Sequence, residues 1–108
     1  MFCYPENIRR EMQQLFRSLR EKKYLSHLDR TKFTFEAASF LATLNAIHPF
    51  REGNGRTQLS FLTVLAMRAG HPFDLDKLEP AIFLGGMVDS FRGEEHALRE
   101  QIFQLTEK

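Results

Sequence analysis

His48-Pro49-Phe50-Arg51-Glu52-Gly53-Asn54-Gly55-Arg56 is the stretch on which the reading of this 108-residue chain turns. It holds an imidazole, a carboxylate, an amide and a guanidinium, with two glycines that let the backbone curl closely round a ligand. Pro49 disfavours helical geometry at His48, so a helix arriving through Leu41 and Leu44 should end there. Beyond Gly55 the chain turns apolar at helical spacing, which predicts that Gly53-Asn54-Gly55-Arg56 opens a second helix. Unused N–H groups at a helix N-terminus, with glycines to let them converge, make a site for phosphate. A base, a hard carboxylate and an anion cradle together point to phosphoryl or nucleotidyl chemistry.

Outward from this stretch the pattern is helical on both sides. Upstream, Ala37, Phe40, Leu41 and Leu44 mark a buried stripe running to Ile47, and Thr34 followed by Glu36-Ala37 reads as its cap. Tyr24 to Lys32 is polar and mixed, a connection or a short turn of helix. Earlier still, Ile8, Met12, Leu15, Phe16 and Leu19 recur on one helical face, with Pro5 placed to open that helix. Its other face carries Arg9, Arg10, Arg17, Arg20, Lys22 and Lys23 among Glu6, Glu11 and Glu21, a mixture that reads as a solvated surface. Downstream, Phe61, Leu62, Val64, Leu65, Ala66, Met67 and Ala69 leave almost no polar face, so a helix over about 55–69 is expected in the middle of the core. Gly70 is a natural C-cap with Pro72 beyond it. Asp74 to Arg92 reads as one helix weakened at Gly85-Gly86, and Glu94 to Leu105 as a last amphipathic helix. The expected fold is all-α.

Composition sets the outer bounds. The length suits one domain with one core. An apolar fraction of 43% with 27% charge is ordinary for a globular protein. A net charge of +1 supplies no field that would favour nucleic acid or an anionic membrane. No apolar run is long enough to span a bilayer, and the start of the chain has no apolar signal-peptide core. Cys3 stands alone, which excludes an internal disulfide and makes a cytoplasmic setting the expectation. No Walker A loop, His-Glu-x-x-His or paired-cysteine pattern is present, so nucleotide binding has to come from Gly53–Arg56.

The central string resembles the Fic family signature, His-Pro-Phe-x-(Asp/Glu)-Gly-Asn-Gly-Arg-x-x-Arg, and every specified position matches from His48 through Arg56. A looser similarity runs from Phe2-Cys3-Tyr4-Pro5-Glu6-Asn7-Ile8 to Arg68-Ala69-Gly70-His71-Pro72. The resemblance implies a compact Fic-like helical bundle and a protein adenylyltransferase, which moves AMP from ATP to a Ser, Thr or Tyr hydroxyl of a target protein. It implies His48 as the general base, a role that suits an imidazole titrating near neutrality. Glu52 would hold Mg²⁺, and Gly53, Asn54 and Gly55 would receive the phosphate oxygens. Arg56 would grip the outer phosphates, as a guanidinium does well. Homo-oligomerisation is left open by the resemblance.

Two departures stand beside the match. Leu59 occupies the place of the closing arginine, which in the family grips the terminal phosphate and receives an inhibitory glutamate. Residues 56 and 59 share a helix face, so the change falls beside the cradle. It implies weaker triphosphate binding, another nucleotide donor, or a degenerate domain that works as a nucleotide-binding or protein-interaction module. The family's inhibitory pattern, (Ser/Thr)-x-x-x-Glu-(Gly/Asn), is approached by Ser90-Phe91-Arg92-Gly93-Glu94-Glu95 but fails at its last place, so self-inhibition by that device is not expected. Fic domains also carry a β-hairpin flap before the first helix. Here residues 1–5 read as its remnant, and residues 1–108 as a single domain without the upstream hairpin and helices. His71-Pro72-Phe73 repeats the first three letters of the signature without its acidic and Gly-Asn-Gly parts, and reads as coincidence.

Overall fold

The computed structural model describes residues 5–47 and 54–106. Within them the chain forms helices α1 (Pro5–Glu21), α2 (Arg30–Ile47), α3 (Asn54–Arg68), α4 (Pro80–Phe91) and α5 (His96–Leu105), with short 3₁₀ turns at Lys23–Leu25 and Leu75–Lys77. No strand occurs among the described residues, and the all-α expectation holds. The flap remnant expected at residues 1–5 lies outside the described residues except for Pro5.

The element that organises the bundle is α2, which packs against each of the other four helices. Its stripe Ala37, Phe40, Leu41, Leu44 and Ile47 is buried as the spacing predicts. The helix begins four residues before the expected cap. Asp29 opens it, its Oδ1 accepting the Lys32 N–H at 2.7 Å, while Thr34 lies buried inside the second turn. Asp29 sits among charged residues with no apolar position before Phe33, so the apolar pattern does not reveal this first turn.

α1 lays Met12, Leu15 and Phe16 on the core and buries Leu19, while Arg9, Arg10, Arg17 and Arg20 are exposed. Between α1 and α2 the chain makes a left-handed turn, with φ of 54°, 56° and 62° at Lys23, Tyr24 and Leu25. The Leu25 N–H donates to the Lys22 carbonyl and the Ser26 N–H to the Lys23 carbonyl, at 3.0 and 3.1 Å. Such backbone costs about 1–2 kcal/mol for each residue that is not glycine. Burial of Leu25, 1% exposed, offsets part of that cost.

α3 starts at Asn54, as the glycine-rich string predicts, and buries Leu62, Leu65 and Ala66. The expectation of a helix enclosed on every side is corrected: Val64 and Met67 are 46% and 63% exposed. Apolar composition establishes that a helix can be buried all round, and only packing decides whether it is. Its C-terminus closes at Gly70, φ +89°, where the Gly70 N–H donates to the Met67 carbonyl and the His71 N–H to the Ala66 carbonyl. The His71 ring then stacks on Phe33 at 5.0 Å, and its Nε2–H donates to the Leu28 carbonyl at 2.7 Å. The second His-Pro-Phe string therefore serves as a strut.

The stretch read as one helix over Asp74–Arg92 is two elements. Asp74 caps the turn at Leu75–Lys77 by accepting the Asp76 N–H, and Pro80 opens α4, since proline suits a first helical position and pushes Glu79 into extended backbone. Gly85 and Gly86 sit inside α4 without breaking it. At Gly86 the backbone of α5 comes close, so that an added Cβ would lie 3.2 Å from the Leu98 nitrogen and 3.3 Å from its Cα, whereas at Gly85 there is open space. Gly93, φ +92°, ends α4, and the Glu94 N–H donates back to the Asp89 carbonyl. Glu94 thus belongs to the end of α4, and α5 begins at His96.

α4 is tied to α2 by one buried amide. Asn45 is 1% exposed, and its Nδ2 donates to the Met87 carbonyl at 3.1 Å, an oxygen that also receives the Ser90 hydroxyl at 2.7 Å. α5 is tied to the other end of α2 by Arg30, which lies over the Phe103 ring at 3.6 Å and donates to the Phe103 carbonyl and the Thr106 hydroxyl. A cation at that helix C-terminus also meets its dipole favourably.

These contacts make two predictions. Gly85→Ala should raise stability by about 0.5–1 kcal/mol through helix propensity, while Gly86→Ala should lower it by about 1–3 kcal/mol by forcing α4 and α5 apart. Urea unfolding of the two variants side by side checks the opposite signs. Asn45→Ala should cost about 1–3 kcal/mol by removing the donor to Met87, and Asn45→Asp should cost more because it adds a buried carboxylate. Thermal unfolding that ranks Asp as milder than Ala would contradict that account.

Candidate functional site

The two helices that bracket the signature are locked by three phenylalanines. Phe16 of α1 meets Phe40 of α2 edge-on at 5.7 Å and Phe61 of α3 edge-on at 5.5 Å, and Phe40 and Phe61 stack at 5.8 Å. Such pairs contribute about 0.5–1.5 kcal/mol each beyond burial. Phe40 lies two turns before the end of α2 and Phe61 two turns after the start of α3. The cluster therefore fixes, from within the core, where the helical ends on either side of residues 48–53 sit.

His48, Glu52 and Gly53 lie outside the described residues. For Asn54, Gly55 and Arg56 the helical backbone is described: they form the first turn of a 15-residue helix. The first four N–H groups of an α-helix have no acceptor within it, and a helix of this length presents the positive end of its dipole there. The sequence expectation that the glycine-rich string opens a helix is thereby met, as is the expectation that α2 runs up to the signature and ends at Ile47, 6% exposed.

Leu59 is half-buried and packs against the core, one turn into α3. Its neighbour Gln58 is buried. The substituted position thus serves the packing of α3. On α2, Asn45 stands three residues before His48 with its Oδ1 buried and without a partner among the described residues. The apolar pattern does not single Asn45 out. An amide in a buried register just ahead of the signature is the signal that could have found it. Among the described residues no group of three His, Cys, Asp or Glu side chains is placed to hold a metal ion, and no helix is long and apolar enough to cross a membrane.

Comparison with known proteins agrees with this arrangement. The Fic/DOC family pattern matches residues 1–66. The chain is 50% identical over 105 residues to a probable protein adenylyltransferase, y4lH, of Sinorhizobium fredii, covering 96% of this chain and 55% of that protein. It is 35% identical over 92 residues to the protein adenylyltransferase VbhT of Bartonella schoenbuchensis, covering 85% of this chain and 19% of that one. Among solved structures, the BepC effector of Bartonella tribocorum with bound AMPPNP superposes with a TM-score of 0.85 at 27% identity, over 96% of this chain and 50% of that one. An N-terminal Fic domain from Bartonella quintana with bound ADP gives 0.87 at 28% identity, over 96% and 49%. The chain thus spans about half the length of the first of these relatives and of both structures. With a family pattern that covers the signature, α2 and most of α3, the chain belongs to the Fic/DOC family.

Proposed function

We propose that this chain is the transferase part of a protein adenylyltransferase, which moves AMP from ATP to a Ser, Thr or Tyr hydroxyl of a target protein. The observation that carries the reading is the start of α3 at Asn54. It puts Asn54, Gly55 and Arg56 where backbone N–H groups lack helical acceptors, with a base and a carboxylate immediately before them in sequence. Adenylyltransferase relatives and the nucleotides AMPPNP and ADP bound by neighbouring structures support the same reading.

In this reading His48 takes the proton from the target hydroxyl, whose oxygen attacks the α-phosphorus of ATP, and pyrophosphate leaves. Gly53, Asn54 and Gly55 meet the charge that grows on the phosphate oxygens, the kind of preorganised contact that supplies a large share of catalysis. Arg56 holds the outer phosphates. Glu52 fits Mg²⁺ by its chemistry, since this ion prefers one or two carboxylate oxygens together with substrate phosphates over a cage made by protein alone. When bound, Mg²⁺ would neutralise phosphate charge. The partners are a target protein and a nucleotide, with no membrane or nucleic acid assigned, homo-oligomerisation open, and the cytoplasm as the setting.

Leu59 favours a second reading, a Fic domain that binds nucleotide or protein without transfer, because a residue committed to packing supplies no phosphate contact at that place. Label transfer separates the two. The protein, with Mg²⁺ and ATP labelled at the α-phosphate, should label itself or a protein in a lysate, and His48→Ala should reduce the rate by about 10²–10⁴-fold. Nucleotide binding without label in either setting would favour the module.

The substitution at position 59 also gives a titration experiment. Leu59→Arg should tighten ATP binding by about 10- to 150-fold, the value of one charged hydrogen bond to phosphate, while lowering the unfolding temperature through lost packing. Calorimetric titration that shows equal affinity in both forms would mean that the closing arginine has no role here.

A further inference from the structure

The end of α2 away from the signature carries a feature the transfer reading does not use. Beside its first turn lies an open groove of about 390 Å³, lined by Lys22, Leu25, Leu28, Lys32, Phe35 and Glu36. Its floor is apolar, and Phe35 is 53% exposed, backed by the Arg99 guanidinium at 4.2 Å. At the rim Lys22 is held by Glu36 at 3.0 Å, which leaves Lys32 without an ion-pair partner among the described residues. Past that bridge the groove continues into a smaller recess of about 150 Å³ with Ser18, Ser39 and Thr43 on its walls.

Two features show that the surroundings are not arranged for helix stability alone. The first turn of α2 contains Arg30 and Lys32 and no acidic residue, so both cations face the positive end of their own helix dipole, where the Asp29 cap bonds the Lys32 backbone N–H and not its ammonium. Arg30 is accounted for by its bonds to the end of α5; Lys32 is not. The wall at Leu25 is built by the left-handed turn at Lys23, Tyr24 and Leu25, and backbone of that kind persists where its surroundings require it.

We propose that this groove docks an acidic segment of a partner protein, with one apolar side chain entering between Leu25, Leu28 and Phe35 and a carboxylate facing Lys32. The charge argument selects this occupant. Among the lining residues Lys22 and Lys32 against Glu36 leave one positive charge beside an apolar recess, which matches a side chain flanked by a carboxylate. A polyanion such as nucleic acid draws its affinity from many phosphate contacts, and one excess cation does not supply them. The groove lies along the first two turns of α2, while the recess beyond it reaches Thr43, one turn before the end of that helix. Docking here is read by peptide binding and not by AMP transfer, so it is tested apart from the proposed function.

The test is a titration of isotopically labelled protein with the peptide Asp-Asp-Leu-Phe-Asp-Asp, blocked at both ends, followed by amide chemical shifts. A version with lysine for every aspartate is the control. The acidic peptide should move amides across residues 22–36, with binding weakened about tenfold by Lys32→Glu and by added salt. Lys32→Glu puts a carboxylate in the first turn three residues after Asp29, so its unfolding temperature should hold or rise, and a loss of binding cannot be laid to unfolding. Phe35→Ala should weaken binding as well. No shifts at about 1 mM peptide, equal binding of the lysine peptide, or indifference to Lys32→Glu would overturn the proposal. Shifts at these amides that follow protein concentration without peptide would also overturn it, by giving the groove to a second copy of the chain.

Discussion

The contact on which the rest depends is the three-ring cluster of Phe16, Phe40 and Phe61. A signature split between the end of one helix and the start of another is useful only if those two ends keep a fixed relation. Hydrogen bonds within each helix cannot supply that, because they fix the helix and not its neighbour. Aromatic rings can, since edge-on and stacked contacts have preferred geometry as well as area. The third ring, from α1, closes the cluster against rotation of α3 about α2. Leu62, Leu65 and Ala66 then bury the remaining turns of α3. The chemistry of the signature and the packing of the core are thus two faces of the same pair of helices.

The opposite side of α2 is held by another kind of contact. There α4 and α5 approach so closely at Gly86 and Leu98 that an added Cβ would press on the Leu98 backbone, and Asn45 reaches from α2 to the Met87 carbonyl. A buried amide in an apolar stripe is a costly choice unless its bonds are made. Here one of its two ends is made within the described residues and the other, Oδ1, is not. Asn45 consequently joins α4 to the helix that runs up to the signature.

What was legible in the sequence follows from which forces act locally. The stripe of α2, the start of α3 and the stops at Gly70 and Gly93 were readable, because apolar spacing and glycine at positive φ leave local marks. The opening of α2 at Asp29 was not, since its first turn is charged and contributes nothing apolar to the pattern. The division of Asp74–Arg92 was obscured in the same way: Leu75 and Leu78 continue a helical spacing that Pro80 interrupts only through the backbone of Glu79. The exposure of Val64 and Met67 was beyond any local reading, because it depends on where the other helices lie. At the candidate site, the helical setting of Asn54, Gly55 and Arg56 was legible, while the supporting layer of Phe16, Phe61 and Asn45 was not. Those residues act through neighbours distant in sequence.

Leu59 brings these threads together. It stands one turn after Arg56 and packs on the core. An arginine at this position would have to lead its guanidinium past that packing to reach the start of the helix, as long basic side chains do when their stems lie along apolar surface. A leucine satisfies the core outright, and under the proposed function leaves phosphate binding to the helix N-terminus and Arg56. Backbone N–H groups and the helix dipole act on whatever negative charge lies nearest the first turn, whereas a reaching side chain acts on charge farther out. Replacing the closing arginine by leucine therefore shifts the demand on the ligand: contacts near the first turn are kept, and those at the far end of a polyphosphate are weakened. If the chain binds nucleotide as proposed, it therefore distinguishes poorly between nucleotides that differ only in their terminal phosphate.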